Sequence, residues 1–140
     1  MSKEAIFAKV PSWNKIRLLK PPPYGNFSTS EIPIVQKLYG FYLKLHSLVL
    51  LFPKVEQHSL GERLESLTLS IIEGIYLANS LTAESKKSRL GLVNAELSLL
   101  KLMVRLAMEI KCLSQKQYLT LQADLQEVGR MLGGWIRSLS

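Results

Sequence analysis

From residue 31 onward, apolar side chains recur every three or four positions, the spacing that gathers them on one face of an α-helix. In the first stripe these are Ile34, Leu38, Phe41, Leu45, Leu48 and Phe52. Pro33 suits a first helical turn and Pro53 stops the run, which predicts a helix over about 33–52. A second stripe, Leu60, Leu64, Leu67, Ile71, Ile75 and Ala78, predicts a helix over about 56–79. Ser59-Leu60-Gly61-Glu62 is a possible capping box for it, although a start near Val55 is equally open. The third stripe runs through Leu90, Val93, Leu97, Leu100, Val104 and Ala107, within a helix over about 82–113. The fourth opens on Ser114-Gln115-Lys116-Gln117, a good capping box. It continues through Tyr118, Leu121, Leu125, Val128, Leu132, Trp135 and Leu139, over about 115–139.

No segment alternates as a strand does. Four such stripes joined by short connections predict an all-α fold, an antiparallel up-down four-helix bundle over residues 32–140. Residues 1–31 break the pattern with Pro11, Pro21-Pro22-Pro23 and Tyr24-Gly25-Asn26, a Pro-rich basic arm with polyproline II tendency. Up to about residue 30 it carries Lys3, Lys9, Lys15, Arg17 and Lys20 against Glu4 alone, together with Phe7 and Trp13. It reads either as a flexible tail or as a segment that docks on a partner, a neighbouring subunit or a phosphate backbone.

Seven of the eight glycines (Gly40, Gly61, Gly74, Gly91, Gly129, Gly133, Gly134) fall inside the helical stripes. Glycine costs about 1 kcal/mol against alanine in a helix interior, so their presence points to helices packed at short range. Gly133 and Gly134 in particular mark a place where another helix can approach, with Leu132 and Trp135 turned into the core. The third helix is apolar beyond its core stripe, with Leu92, Leu99, Leu102, Met103, Leu106 and Ile110 on another side. A helix apolar over most of its circumference is buried on two faces, which predicts homo-oligomerisation.

The chain has 18 Lys and Arg against 11 Asp and Glu, a net charge of +7. That balance favours nucleic acid, an anionic membrane or an acidic protein partner. One cysteine, Cys112, excludes an internal disulfide and a cysteine-rich metal site, and fits a reducing compartment. The first ten residues lack the apolar core of a secretory signal, and no run approaches the ~20 residues that span a bilayer. A soluble, cytoplasmic protein without a membrane partner is expected.

Catalytic and cofactor chemistry find little to stand on. His46 and His58 lack a second ligand at helical spacing, and Glu62, Glu65, Glu73, Glu96 and Glu109 are scattered. No phosphate-binding glycine loop or serine elbow occurs, so neither a catalytic site, a metal nor a cofactor is expected. The cations say more. Lys87, Asn94, Lys101 and Arg105 recur at seven, seven and four, forming a polar stripe down the third helix, thickened by Lys86 and Arg89. Lys111 lies near its far end. A line of cations suits phosphate neutralisation; the competing reading is a solvated face in which Arg105 pairs with Glu109.

Several pieces together resemble a known family. They are Phe52-Pro53-Lys54, Leu60-Gly61-Glu62-Arg63-Leu64, Leu102 to Ala107 and Leu113 to Tyr118. The most specific is Val128-Gly129-Arg130-Met131-Leu132-Gly133-Gly134-Trp135. Residues 32–140 resemble the accessory variability determinant family of diversity-generating retroelements, whose sister group is encoded in intervening sequences of 23S ribosomal RNA. The resemblance implies a homopentameric, positively charged barrel that binds the element's reverse transcriptase and RNA or DNA, and supports mutagenic copying of a template RNA. It implies no catalytic site. Arg105 lies in a matching piece and is the first cation expected to bind; Lys101, Lys86, Lys87, Arg89 and Lys111 follow from the stripe. The alternatives are an RNA-binding protein of the ribosomal intervening-sequence type and a helical scaffold for an acidic protein partner. The Pro-rich arm departs from the family pattern.

Overall fold

The computed structural model describes residues 31–139, so the arm expected over residues 1–31 lies almost wholly outside them. Four long helices make up this part: α1 (Glu31–Val49), α2 (Glu62–Ala78), α3 (Ala83–Glu109) and α4 (Gln115–Ser138). No strand occurs among the described residues. Each helix packs on two neighbours, α2 on α1 and α3, and α4 on α3 and α1, so the four enclose one core. The predicted stripes supply it. Ile34, Leu38, Phe41, Leu45, Leu64, Ile71, Ile75, Leu90, Leu97, Leu100, Leu121 and Leu125 are shut off from solvent, each enclosed aliphatic side chain stabilising the fold by roughly 1.5–3 kcal/mol. Around α3, all six predicted core positions are buried.

The helix ends differ from expectation in three places. First, α1 stops at Val49 rather than near Phe52. Proline disfavours helical backbone in the residue before it, and the chain turns early: Leu51 and Phe52 donate to the carbonyls of Leu48 and Val49. Gln57 Nε2 donates to the carbonyls of Leu50 and Phe52 at 2.9 and 3.1 Å, partnering acceptors that the helix end leaves open. The turn brings Val49 into the core and leaves Leu48 half-buried.

Second, Ser59 caps nothing. The second helical stretch begins at Lys54, as a start near Val55 allows. It runs through Lys54–Glu56 and a π-helical turn, Gln57–Gly61, into α2 without a break. Ser59 therefore lies inside the helix and donates to Val55 O instead of accepting from a free N–H. Gly61 is required here: a Cβ on it would lie 2.7 Å from Val49 Cγ1 and 3.2 Å from Glu56 O.

Third, α3 ends at Glu109, four residues before the expected end at 113. Lys111 takes a left-handed backbone (φ 67°), and Cys112 N–H reaches back to Ala107 O at 2.8 Å. This is the helix-closing arrangement that usually carries glycine. The capping box at Ser114 forms as predicted: Ser114 Oγ accepts from Gln117 N–H at 3.1 Å, and Gln117 Oε1 accepts from Ser114 N–H at 2.9 Å.

Polar contacts fix how the helices face one another. Val49 meets Gly61 and His46 Nδ1 meets Glu65 Oε1 at 2.7 Å, so α1 and α2 run in opposite directions. Gly74 meets Val93 and Ser70 Oγ donates to Glu96, so α2 and α3 also run in opposite directions. Asp124, buried on α4, receives Lys37 at 3.2 Å and Lys44 at 2.8 Å from α1. Lys37 also reaches Glu127 at 3.1 Å, and its hydrogen bonds to Glu127 and then Asp124 raise its pKa above the ordinary lysine value. Short-range packing does not extend to every helical glycine. Among the described residues, nothing lies within 4 Å of a Cβ on Gly40 or Gly91. Among the described residues, no helix is long and apolar enough to cross a membrane.

Candidate nucleic-acid interface

The 3.6-residue period divides the surface of α3 into sectors. One faces the core. A second, roughly opposite, carries Leu92, Leu99, Leu102, Leu106 and Ile110, which are 41–62% exposed, with Met103 half-buried beside them. A third sector faces outward beside α4 and holds Lys87, Asn94, Lys101 and Arg105.

Two contacts place that third sector on the α4 side. Gln122 Nε2 of α4 donates to Lys101 O at 2.9 Å, and a Cβ on Gly129 would lie 3.2 Å from Lys101 Nζ and 3.7 Å from Leu97 Cδ2. Lys101 is half-buried, held along this seam, while Lys87 and Arg105 are exposed. Arg105 Nε donates to Glu109 Oε1 at 3.2 Å. That exposed i, i+4 pair contributes about 0.3–0.5 kcal/mol and leaves most of the guanidinium's donors in solvent.

Not all expected members join the stripe. Arg89 turns to the other side: its Nε lies beside Gly74 of α2, 3.8 Å from where a Cβ there would stand. Two residues from Lys87, at about 100° per residue, it has rotated onto the opposite seam. Lys86 sits one step round from Lys87 and is half-buried. Lys111 is exposed but belongs to the α3–α4 connection, not to the helical face.

Across the seam, α4 adds two cations that the α3 pattern could not reveal. Arg130 and Arg137, both exposed, are seven residues apart and so share one side of the helix. Between them sit Gly133 and Gly134, and no other described helix comes within 4 Å of a Cβ there. The nearest atoms to a Cβ on Gly133 or Gly134 belong to Arg137 itself, Nη1 at 3.4 Å and Nη2 at 3.9 Å. Trp135 is turned inward and only 8% exposed.

The carboxylates of α3 and α4 are largely drawn elsewhere. Glu96 accepts from Ser70 of α2, while Asp124 and Glu127 hold the α1 lysines. The outer α3–α4 side therefore presents Lys87, Lys101, Arg105, Arg130 and Arg137, with Glu109 paired to Arg105 and Glu84 exposed one turn before Lys87. Lysine and arginine side chains on an open helix face have the chemistry of phosphate contacts, which carry no base sequence.

Other chemistry has less to work with. His46 is held by Glu65 and stacked on Tyr42, with ring centroids 6.1 Å apart, and His58 meets Glu62 at 3.4 Å. Burial pushes the Cys112 thiol above its ordinary pKa, which disfavours the nucleophilic thiolate. Among the described residues, no three His, Cys, Asp or Glu side chains gather as a metal site. An open hollow between α1 and α4, lined by Leu48, Leu121, Lys44 and Lys116, holds no acid–base pair.

No curated protein matches this sequence. The family model described as bAvd-like matches residues 32–139, the same stretch that carries the four helices. The chain belongs to the bAvd-like family.

Proposed function

We propose that this chain is a non-catalytic accessory protein that binds the phosphate backbone of RNA or DNA. On this reading it acts beside a reverse transcriptase in mutagenic copying of a template RNA. The observation that carries the reading is the line of Lys87, Lys101 and Arg105 on the outer side of α3, continued by Arg130 and Arg137 of α4. Its family membership supports the reverse-transcriptase role. The four helices run alternately up and down, and copies of the chain assemble through the exposed leucines of α3. A pentamer rests on the family resemblance. Repeating a modest cationic face around an assembly raises its field and its effective concentration for one strand.

The test is RNA affinity as a function of salt, read by fluorescence anisotropy on the full chain. Affinity should fall steeply between about 50 and 200 mM salt. Lys101→Glu with Arg105→Glu should weaken binding at least about tenfold at low salt, with helical content by circular dichroism unchanged. Binding that ignores salt, or that survives the double reversal, overturns the reading. Sedimentation that finds only monomer at micromolar concentration overturns the assembly.

A further inference from the structure

We infer that residues 1–30 of this chain dock on the outer side of α1 and α2 of the same chain, where an apolar strip edged with carboxylates takes their apolar and cationic side chains. This docking is independent of the function proposed above.

A difference in exposure marks the strip. α1 and α3 each pack on the same two helices, α2 and α4. The side of α3 turned away from the core stays open, with Leu92, Leu99, Leu102, Leu106 and Ile110 41–62% exposed. The matching side of α1 is more closed. Tyr39 and Leu43 stand two residues either side of the buried Phe41, about 200° round the helix from it, yet both are half-buried. Over residues 33–49, only Pro33, Gln36 and Lys44 are exposed. Tyr39 Oη is cut off from solvent and has no hydrogen-bond partner. A buried hydroxyl without a partner is unfavourable, and the backbone of a segment laid over it can supply one.

α2 continues the strip. His46 meets Glu65 across the α1–α2 seam at 2.7 Å. The two helices run in opposite directions, so Tyr42 and Leu69, each one turn further along, share a level. Glu62, Leu69 and Tyr76 recur at sevens on one side of α2, with Glu73 one turn beyond Leu69, and all four are exposed. Arg63, seven residues from Ser70, belongs to the α3 side instead. The α1 lysines are drawn away as well, Lys37 to Asp124 and Glu127 and Lys44 to Asp124. What remains is an apolar strip with Glu62, Glu65 and Glu73 along it.

Residues 1–30 have the complementary chemistry. They carry Lys3, Lys9, Lys15, Arg17 and Lys20 against Glu4, interleaved with Ile6, Phe7, Trp13, Ile16, Leu18 and Leu19. A segment that only solvates has no use for such apolar side chains. They are also within reach, since α1 begins directly after them. α1 is 19 residues long, about 28 Å, and roughly nine residues at the rise of polyproline II retrace it. A tethered segment reaches the strip at a high effective concentration, which a free partner does not.

The experiment reads Trp13 in the full chain. The chain has two tryptophans, so subtracting the emission of Trp13→Phe from that of the wild type isolates Trp13. Docked, Trp13 emits to the blue and resists acrylamide, without nucleic acid and unchanged on dilution. Leu69→Lys with Glu73→Lys, made with and without Trp13→Phe, should shift that emission to the red and raise acrylamide quenching several-fold. Helical content by circular dichroism should stay the same, since both residues are exposed. Lys15→Glu with Arg17→Glu, outside the four helices, should release Trp13 in the same way, whereas Leu102→Lys on α3 should not. Water-exposed Trp13 in the wild type overturns the inference, as does emission that ignores both charge pairs. Shielding that appears only when a single-stranded RNA is added assigns the segment to nucleic acid and overturns it too. So does shielding lost on dilution, or a smaller sedimenting species in the Leu69 and Glu73 variant, because a second copy would then be the occupant. RNA affinity and its salt dependence are separate readouts, so the docking and the function proposed above fail separately.

Discussion

The two seams that α3 makes, one with α2 and one with α4, use the same residue type for opposite ends. On the α2 side, Gly74 lets Val93 come so close that a Cβ there would stand 2.6 Å from Val93 Cγ2. Ser70 and Glu96 are joined across that seam and Arg89 folds over it. On the α4 side, Gly129 gives room to the end of Lys101, 3.2 Å from where a Cβ would stand. In the first seam glycine brings the helices together. In the second, a glycine lies against the charged end of a lysine. Both seams are packed, but only the α4 seam carries a lysine along its outer edge.

The largest test of this contrast is Gly74→Ala. Forcing a methyl into Val93 costs about 1–3 kcal/mol of overpacking, offset by up to about 1 kcal/mol of helix preference. A net loss of stability in chemical denaturation is expected, and Val93→Ala in the same background should recover part of it. A neutral Gly74→Ala would remove the distinction between the seams. Next comes Gly91→Ala on the solvent side of α3, where a Cβ meets nothing. The same substitution should here gain up to about 1 kcal/mol, and a loss would show that assembly covers this surface.

The smallest effect sharpens the comparison at the α1–α4 edge. Lys37 has its pKa raised by Glu127 and Asp124. Its contribution is therefore complete below the unfolded value of 10.5 and is lost as pH rises through the higher folded value. Because the Lys37 side chain is 32% exposed and the pair sits at the surface, the effect is under about 1 kcal/mol. Denaturation midpoints should fall above pH 10.5 in the wild type and fall less in Lys37→Met. Equal profiles would show that the lysine bridges nothing across this edge.

Much of the fold was legible because the core obeys a period. The six core positions of α3 were readable from spacing, since aliphatic side chains one turn apart have nowhere else to go. Ser114 was readable because its partners lie three residues away in the sequence. Ser59 carries an equally good local pattern and fails, because Pro53 had already started the helix and no free N–H remained to be capped. The candidate site was only half legible. Lys101 and Arg105 kept the expected side, but Arg89 drifted to the α2 seam, since residues two apart on a helix never share a face. At Gly133 and Gly134 the sequence signals room for a neighbour, and no described helix of this chain takes it.

The π-helical turn over Gln57–Gly61 has a consequence for how this family can vary in length. Such a turn holds one residue more than an α-helical turn of the same rise. The surplus is taken up between Pro53 and α2, in a stretch where only Gly61 is buried, so the stripe from Leu64 onward keeps its phase. The contact of Gly61 with Val49 and the bonds of Gln57 confine that surplus residue to the turn itself. Relatives that differ by a single residue here would still superimpose from Leu64 to the end of the chain.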